Sequence, residues 1–235
     1  KWAKIHRAKG AADAERGKIF QKLAKELYVA ARGTNGIIED NPSLRMVVEK
    51  CRSQNMPKDN IQKAIDKATG ASGGEEFESI RYEGYAPSGI AIMVDCLTDN
   101  RNRTASFVRS TFTKRGGNLG TDGSVSYLFE RRGVIVVDAT LPEEDVMMSA
   151  LDAGAEDFLT QEDTYEIITS PDTFLAVKEV LEQMGASFLT SEITYVPKNT
   201  IDIEEEDVKE KVYALIEALE DLDDVQEVYH NMKES

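Results

Sequence analysis

Residues that carry most site chemistry are scarce in this chain. Two cysteines, Cys51 and Cys96, two histidines, His6 and His230, and one tryptophan, Trp2, occur among 235 residues. The cysteines are far apart and on apolar faces, so they read as buried thiols of a reducing compartment rather than a disulfide or half a zinc site. The histidines lie at opposite ends, and no Gly-x-Ser-x-Gly or His-Glu-x-x-His motif occurs, which removes the common nucleophilic and zinc-hydrolase arrangements. No stretch approaches the ~18 apolar residues of a membrane-spanning helix, and the first residues lack the apolar core of a signal peptide, so a cytoplasmic protein without membrane contact is expected. With 41% hydrophobic and 30% charged residues, 6 prolines and 16 glycines, the composition is that of a folded globular chain rather than a collagen or a disordered tract.

Positive charge is missing from one end. The net charge is −15, but residues 1–70 hold 15 Lys and Arg against 8 Asp and Glu, residues 71–140 hold 8 against 9, and residues 141–235 hold 5 against 26. A net anion is repelled by a phosphate backbone, yet a basic first third within an acidic chain suits contact with a polyanion at one end. The acidic end then sets orientation or meets a basic protein.

The periodicity divides the chain into three expected domains: 1–74, basic and helical; 75–132 with 197–235, α+β; and 133–196, acidic and inserted between those two parts. In residues 15–32, Ile19, Phe20, Leu23 and Leu27 recur at helical spacing opposite Lys18, Lys22, Lys25 and Arg32. Asn41-Pro42 caps and opens a second helix with Leu44, Val47, Val48 and Cys51 inward. Pro57 starts a third that buries Ile61, Ile65 and Ala68, exposes Lys58, Lys63 and Lys67, and stops at Gly70. A linker-like Gly-Ala-Ser-Gly-Gly-Glu-Glu follows. Strands are then predicted at 79–85, 90–97, 124–130, 133–138, 157–160, 164–169, 187–196 and 225–230, with helices at 101–115, 143–152, 171–184 and 204–220. The stretch 133–196 spells βαββαβ, the ferredoxin-like order. The last helix and strand would complete a second such unit with residues 79–131.

Three constellations bear on function. Lys1, Lys4, His6, Arg7 and Lys9 surround Trp2, a mixture suited to phosphate contact and base stacking. The lysine faces of the first and third helices extend that positive character. The segment Thr98-Asp99-Asn100-Arg101-Asn102-Arg103-Thr104 places two arginines in the first turn of a helix, against its macrodipole and only partly offset by Asp99 as the expected cap, unless they meet an anion there or pair with Asp95, Asp99 or Glu83. Lys114 falls on nearly the same face as Arg103. The loop from Lys114 to Gly123 lacks the Gly-Lys-Ser/Thr of a nucleotide cradle and reads as turn chemistry. Acid runs such as Glu204-Glu205-Glu206-Asp207 complement a helix start rather than mark a metal site.

Taken together, Lys1-Trp2-Ala3-Lys4-Ile5, Gly17-Lys18-Ile19-Phe20, Asn41-Pro42-Ser43-Leu44-Arg45, Asn55-Met56-Pro57-Lys58-Asp59-Asn60-Ile61, Tyr82-Glu83-Gly84-Tyr85-Ala86-Pro87, the Thr98–Thr104 segment and Gly116-Gly117-Asn118-Leu119-Gly120 resemble the YebC/PmpR family of bacterial regulatory proteins. A mitochondrial relative of that family activates translation of cytochrome c oxidase. The resemblance implies a helical domain followed by two α+β domains, the third inserted in the second, with cytoplasmic location and no catalysis; no cofactor and no small-molecule substrate are expected. It also implies a few residues ahead of Lys1. Two functional readings share one surface: a DNA-binding transcriptional regulator, and a ribosome-associated factor on ribosomal or transfer RNA that assists translation through difficult, for example proline-rich, stretches. A third, a metal-dependent hydrolase using the acidic half, requires three or more carboxylates converging in a cleft.

Overall fold

The computed structural model describes residues 13–70 and 74–234, with side chains from residue 15 on. Among these residues are seven α-helices and eight strands in two four-stranded sheets. The described residues form two compact units that do not follow chain order. One comprises the residues up to Val29, Gly70–Glu130 and those from Val196 on; the other comprises Ala30–Thr69 and Arg131–Tyr195.

In the first unit, β1 (Glu78–Tyr85) and β2 (Ala91–Thr98) form a hairpin, α4 (Arg101–Lys114) follows, and a two-residue β3 (Asn118–Leu119) returns beside β1. After the excursion into the other unit, α7 (Glu206–Glu220) and β8 (Val225–His230) complete a sheet of order β3-β1-β2-β8. Relabelled from β2, this is the ferredoxin-like strand order reached through a permuted connection, with the strand expected in the middle of the chain supplied first. Ala91 to Val94 are all fully buried, so β2 is covered on both faces, and its unbroken apolar run follows from that position. On one side Ile92, Val94 and Cys96 pack with Val108 and Phe112 of α4 and Val212, Leu215 and Leu219 of α7. Gly84 allows β3 its close approach, since a Cβ there would stand 2.5 Å from the Asn118 carbonyl oxygen.

One expected strand is absent. Residues 124–130 do not form an independent strand; Ser126–Leu128 is a 3-10 turn, and β4 runs unbroken from Phe129 to Asp138, joining the end of that segment to the strand expected at 133–138. The cause is Glu83, whose buried carboxylate accepts from the amides of Gly123 (2.6 Å), Val125 (3.1 Å) and Ser126 (2.5 Å) and so removes those donors from any ladder.

In the second unit the βαββαβ order stands as read. Around β4 lie α5 (Glu143–Asp152), β5 (Asp157–Thr160), β6 (Thr164–Thr169), α6 (Phe174–Gln183) and β7 (Phe188–Pro197), with sheet order β5-β6-β4-β7. Its core is Ile135, Val137, Val146, Ala150, Ile167, Phe174, Val177 and Leu181. Two helices from the opening third also belong here. In α2 (Pro42–Ser53) the Asn41 side chain caps Leu44 N at 3.1 Å, and Leu44, Val48 and Cys51 are buried. In α3 (Lys58–Gly70) the buried set is Ile61, Ile65 and Ala68. Met46 of α2 packs on the sheet core, and the near-buried Lys178 of α6 donates to Glu49 of α2, holding that carboxyl below its usual range against the effect of burial. The first helix, α1 (Asp13–Ala31), places Leu23 and Leu27 in the interior of the first unit.

Candidate nucleic-acid interface

Lys1, Trp2, Lys4, His6, Arg7 and Lys9 lie outside the described residues. The lysine face of α1 is described, and it is engaged by its own chain. Lys22 donates to the Glu220 carbonyl, Lys18 to the Asp221 carbonyl at 3.4 Å, and Lys25 to the carbonyls of Leu97 and Asp223 at 3.2 and 3.3 Å. Lys18 is also 3.6 Å from the Asp221 carboxylate and Lys25 3.8 Å from that of Asp224. These groups meet the end of α7, whose last turn has no basic residue of its own and leaves carbonyls to be satisfied. Burial lowers the Lys22 ammonium pKa, against the opposing pull of Glu220 and Glu227. Lys18, Lys22 and Lys25 therefore clamp one helix to another rather than forming an open cationic face.

The arginines at the start of α4 also have protein partners. Asn100, not the expected Asp99, caps the helix by accepting from Arg103 N at 3.0 Å, which leaves the Asp99 carboxylate to pair with the Arg103 guanidinium. Arg103 donates to Asp99 at 2.7 Å and to Asp224 at 2.9 and 3.1 Å, and Thr104 donates to the same Asp224 at 2.7 Å. Burial would raise the Asp224 carboxyl, but the bonds from Arg103 and Thr104 outweigh it and hold it low. Arg101 forks onto Glu78 at 2.6 and 3.1 Å, an exposed pair that lowers the Glu78 carboxyl by its hydrogen bond. The local pairing considered from sequence thus holds for Asp99, while Asp95 pairs with Arg81 and Glu83 with the loop amides. Arg32, Lys58 and Lys63 belong to the second unit; Arg32 is half-buried and both lysines are exposed on α3.

What stays open is the outer face of α4. Its sequence, RNRTASFVRSTFTK, contains no carboxylate. With Thr104, Val108 and Phe112 turned inward, Asn102, Ser106, Arg109, Ser110, Thr113 and Lys114 line a shallow surface depression. At ~100° per residue, Ser106, Ser110 and Thr113 form a central strip of small hydroxyls, with Arg109 on one side and Lys114 on the other. Arg109 and Lys114 are exposed and have no ion-pair partner among the described residues. Of the residues singled out from sequence, Lys114 and the engaged Arg103 adjoin this face. Arg109, Ser106 and Ser110 were not singled out, although the absence of acid over fourteen residues of so acidic a chain is a readable signal.

Cys96 is buried, and burial first, then the nearby carboxylates of Asp95 and Asp224, push its thiol up to about 12, far from a reactive thiolate. Among the described residues no group of three or more His, Cys, Asp or Glu side chains is placed to hold a metal ion, and no helix is long and apolar enough to cross a membrane.

Two antiparallel sheets with paired helices, preceded by a helical segment, are the architecture of a crystal structure of a conserved hypothetical protein from Aquifex aeolicus, which superposes with a TM-score of 0.82 at 48% identity over 94% of this chain and 91% of that one. The descriptions "TACO1/YebC protein N-terminal domain" and "TACO1/YebC second and third domain" match residues 1–71 and 77–232, and the chain belongs to the TACO1/YebC family. Proteins named probable transcriptional regulatory protein in Geobacillus kaustophilus and Geobacillus thermodenitrificans are each 52% identical over 100% of this chain and 96% of their own length; one from Finegoldia magna is 50% identical over 98% and 96%. The family membership assigns the chain a regulatory role.

Proposed function

We propose that this protein is a non-enzymatic, cytoplasmic, nucleic-acid-binding regulator of gene expression, with DNA as its first target, in keeping with the names of its relatives. The observation that carries the reading is the outer face of α4: a carboxylate-free helix surface in a chain of net charge −15, presenting hydroxyls and an amide between the free cations Arg109 and Lys114. Side chains of these types bind phosphate oxygens and position a protein on a nucleic-acid backbone without reading sequence. The lysines of α1 are engaged by the carbonyls of Glu220, Asp221, Asp223 and Leu97, and the reading does not rest on them.

Arg109→Ala with Lys114→Ala is expected to weaken binding to a DNA duplex and to flatten the slope of log K against log salt by about 2, one for each phosphate contact removed. Both residues are exposed, so the melting temperature should not move. An unchanged salt slope would show that α4 is not the contact face. Sedimentation of the protein from lysed cells with chromosomal DNA or with ribosomes separates transcriptional from translational action on the same surface.

A further inference from the structure

The proposed regulator reading leaves open which form of nucleic acid the α4 face accepts, and one residue bears on it. Phe107 is 52% exposed, while Phe112 on the same helix and Phe174 in the other unit are fully buried. The Phe107 phenyl ring is half-exposed beside Ser106, at one end of the hydroxyl strip. At ~100° per residue, Phe107 lies about 20° from Lys114 and about 40° from Arg103, so it projects from the cationic side of the helix, beyond the lining of the depression, rather than from the core side. Read across the helix, the lining of the depression runs Arg109, then Ser106 and Ser110, then Lys114, and helical rotation sets Phe107 just outside it on the Lys114 side. Cations and small donors suit a sugar–phosphate backbone of any kind. An exposed ring beside them suits something a duplex does not offer on its outside, the flat face of a base. In paired DNA the base faces are stacked on one another, and only edges are presented in the grooves.

Resting on the proposed function above, we infer that the outer face of α4 is a site for unpaired nucleotides, with phosphates held by Arg109 and Lys114 across the Ser106–Ser110 strip and a base stacked on Phe107. The same chemistry serves melted or single-stranded DNA and the loops of RNA.

The test is fluorescence anisotropy on the full chain with a labelled mixed-sequence oligonucleotide of about 15 nucleotides, as single-stranded DNA, single-stranded RNA and DNA duplex. The wild-type protein is expected to favour a single strand over the duplex by at least about fivefold. Phe107→Ala should reduce single-strand affinity by at least about fivefold, the low end of one stacked base, and remove the preference, while Phe107→Trp keeps it. A tighter RNA than DNA arm assigns the site to RNA, and the reverse assigns it to single-stranded DNA. Equal affinity for single strand and duplex in the wild type, or a Phe107→Ala loss no larger on the single strand than on the duplex, overturns the inference while leaving duplex binding by Arg109 and Lys114 standing. Binding of none of the three probes overturns both.

Discussion

Glu83 shows how a single side chain decides the shape of a functional region. Three amides of the loop after β3, those of Gly123, Val125 and Ser126, converge on its carboxylate, an arrangement of backbone donors that elsewhere holds a bound anion. Here the anion is internal, so the glycine-rich loop is closed to a phosphate and fixed against β1. Burial by itself would raise this carboxyl, but the three amide bonds dominate and lower it. The unfolded chain, with its ordinary Glu value near 4.3, therefore takes up the proton first as pH falls. The stabilisation is complete above that value and is lost as pH drops through the lower folded value. Glu83→Gln should cost about 1–3 kcal/mol at neutral pH, with the gap to the wild type narrowing below about pH 4, as measured by urea midpoints. From sequence, Glu83 was a possible partner of the arginines at the start of α4. Nothing local shows that amides forty residues away would claim it.

At the scale of elements, the same lesson applies to α1. Its amphipathic pattern is legible: Leu23 and Leu27 are buried, and Lys18, Lys22 and Lys25 share the opposite side. The pattern says which side is polar but not what meets it. The end of α7 meets it, about two hundred residues later in the chain, and the negative end of that helix is offset by ammonium groups from another element. Changing Lys18, Lys22 and Lys25 together to Glu is therefore expected to lower stability by about 2–5 kcal/mol, through uncompensated carbonyls and apposed acids, and to shift the urea midpoint downward. The Arg109 and Lys114 pair should leave that midpoint unchanged. A triple-Glu variant with wild-type stability would refute the clamp. Elements with strong local signals, such as α5 at 143–152, β6 at 164–169 and β8 at 225–230, lie where the periodicity puts them. The segment 124–130 does not, because a side chain from another strand competes for its backbone donors.

Across the whole molecule, two cores share one chain. Phe112 lies in the core of one unit and Phe174 in that of the other, both fully buried. Phe174→Ala should cost about 3–5 kcal/mol through the cavity it leaves. Native-state hydrogen exchange should then quicken through Arg131–Tyr195 and α2–α3, with the amides of β2 still protected. Uniform acceleration along the chain would show instead that the two cores open as one. The acidic excess of the chain's second half is shared by both units; in the inserted part Lys178 is the sole cation between Gly133 and Val196 and is itself spent on Glu49.

The helical and strand periods, the Asn41 cap, the βαββαβ order of the insertion and the uneven spread of charge are legible in the order of residues, because each is a property of neighbours along the chain; the Asn100 cap is not, since Asp99 beside it offers the same chemistry. Which cations are spent and which stay available is settled by contacts between residues distant in the chain. Arg103 with Asp224 and Lys22 with Glu220 are pairs that no spacing reveals, and what they leave exposed is one carboxylate-free face of α4.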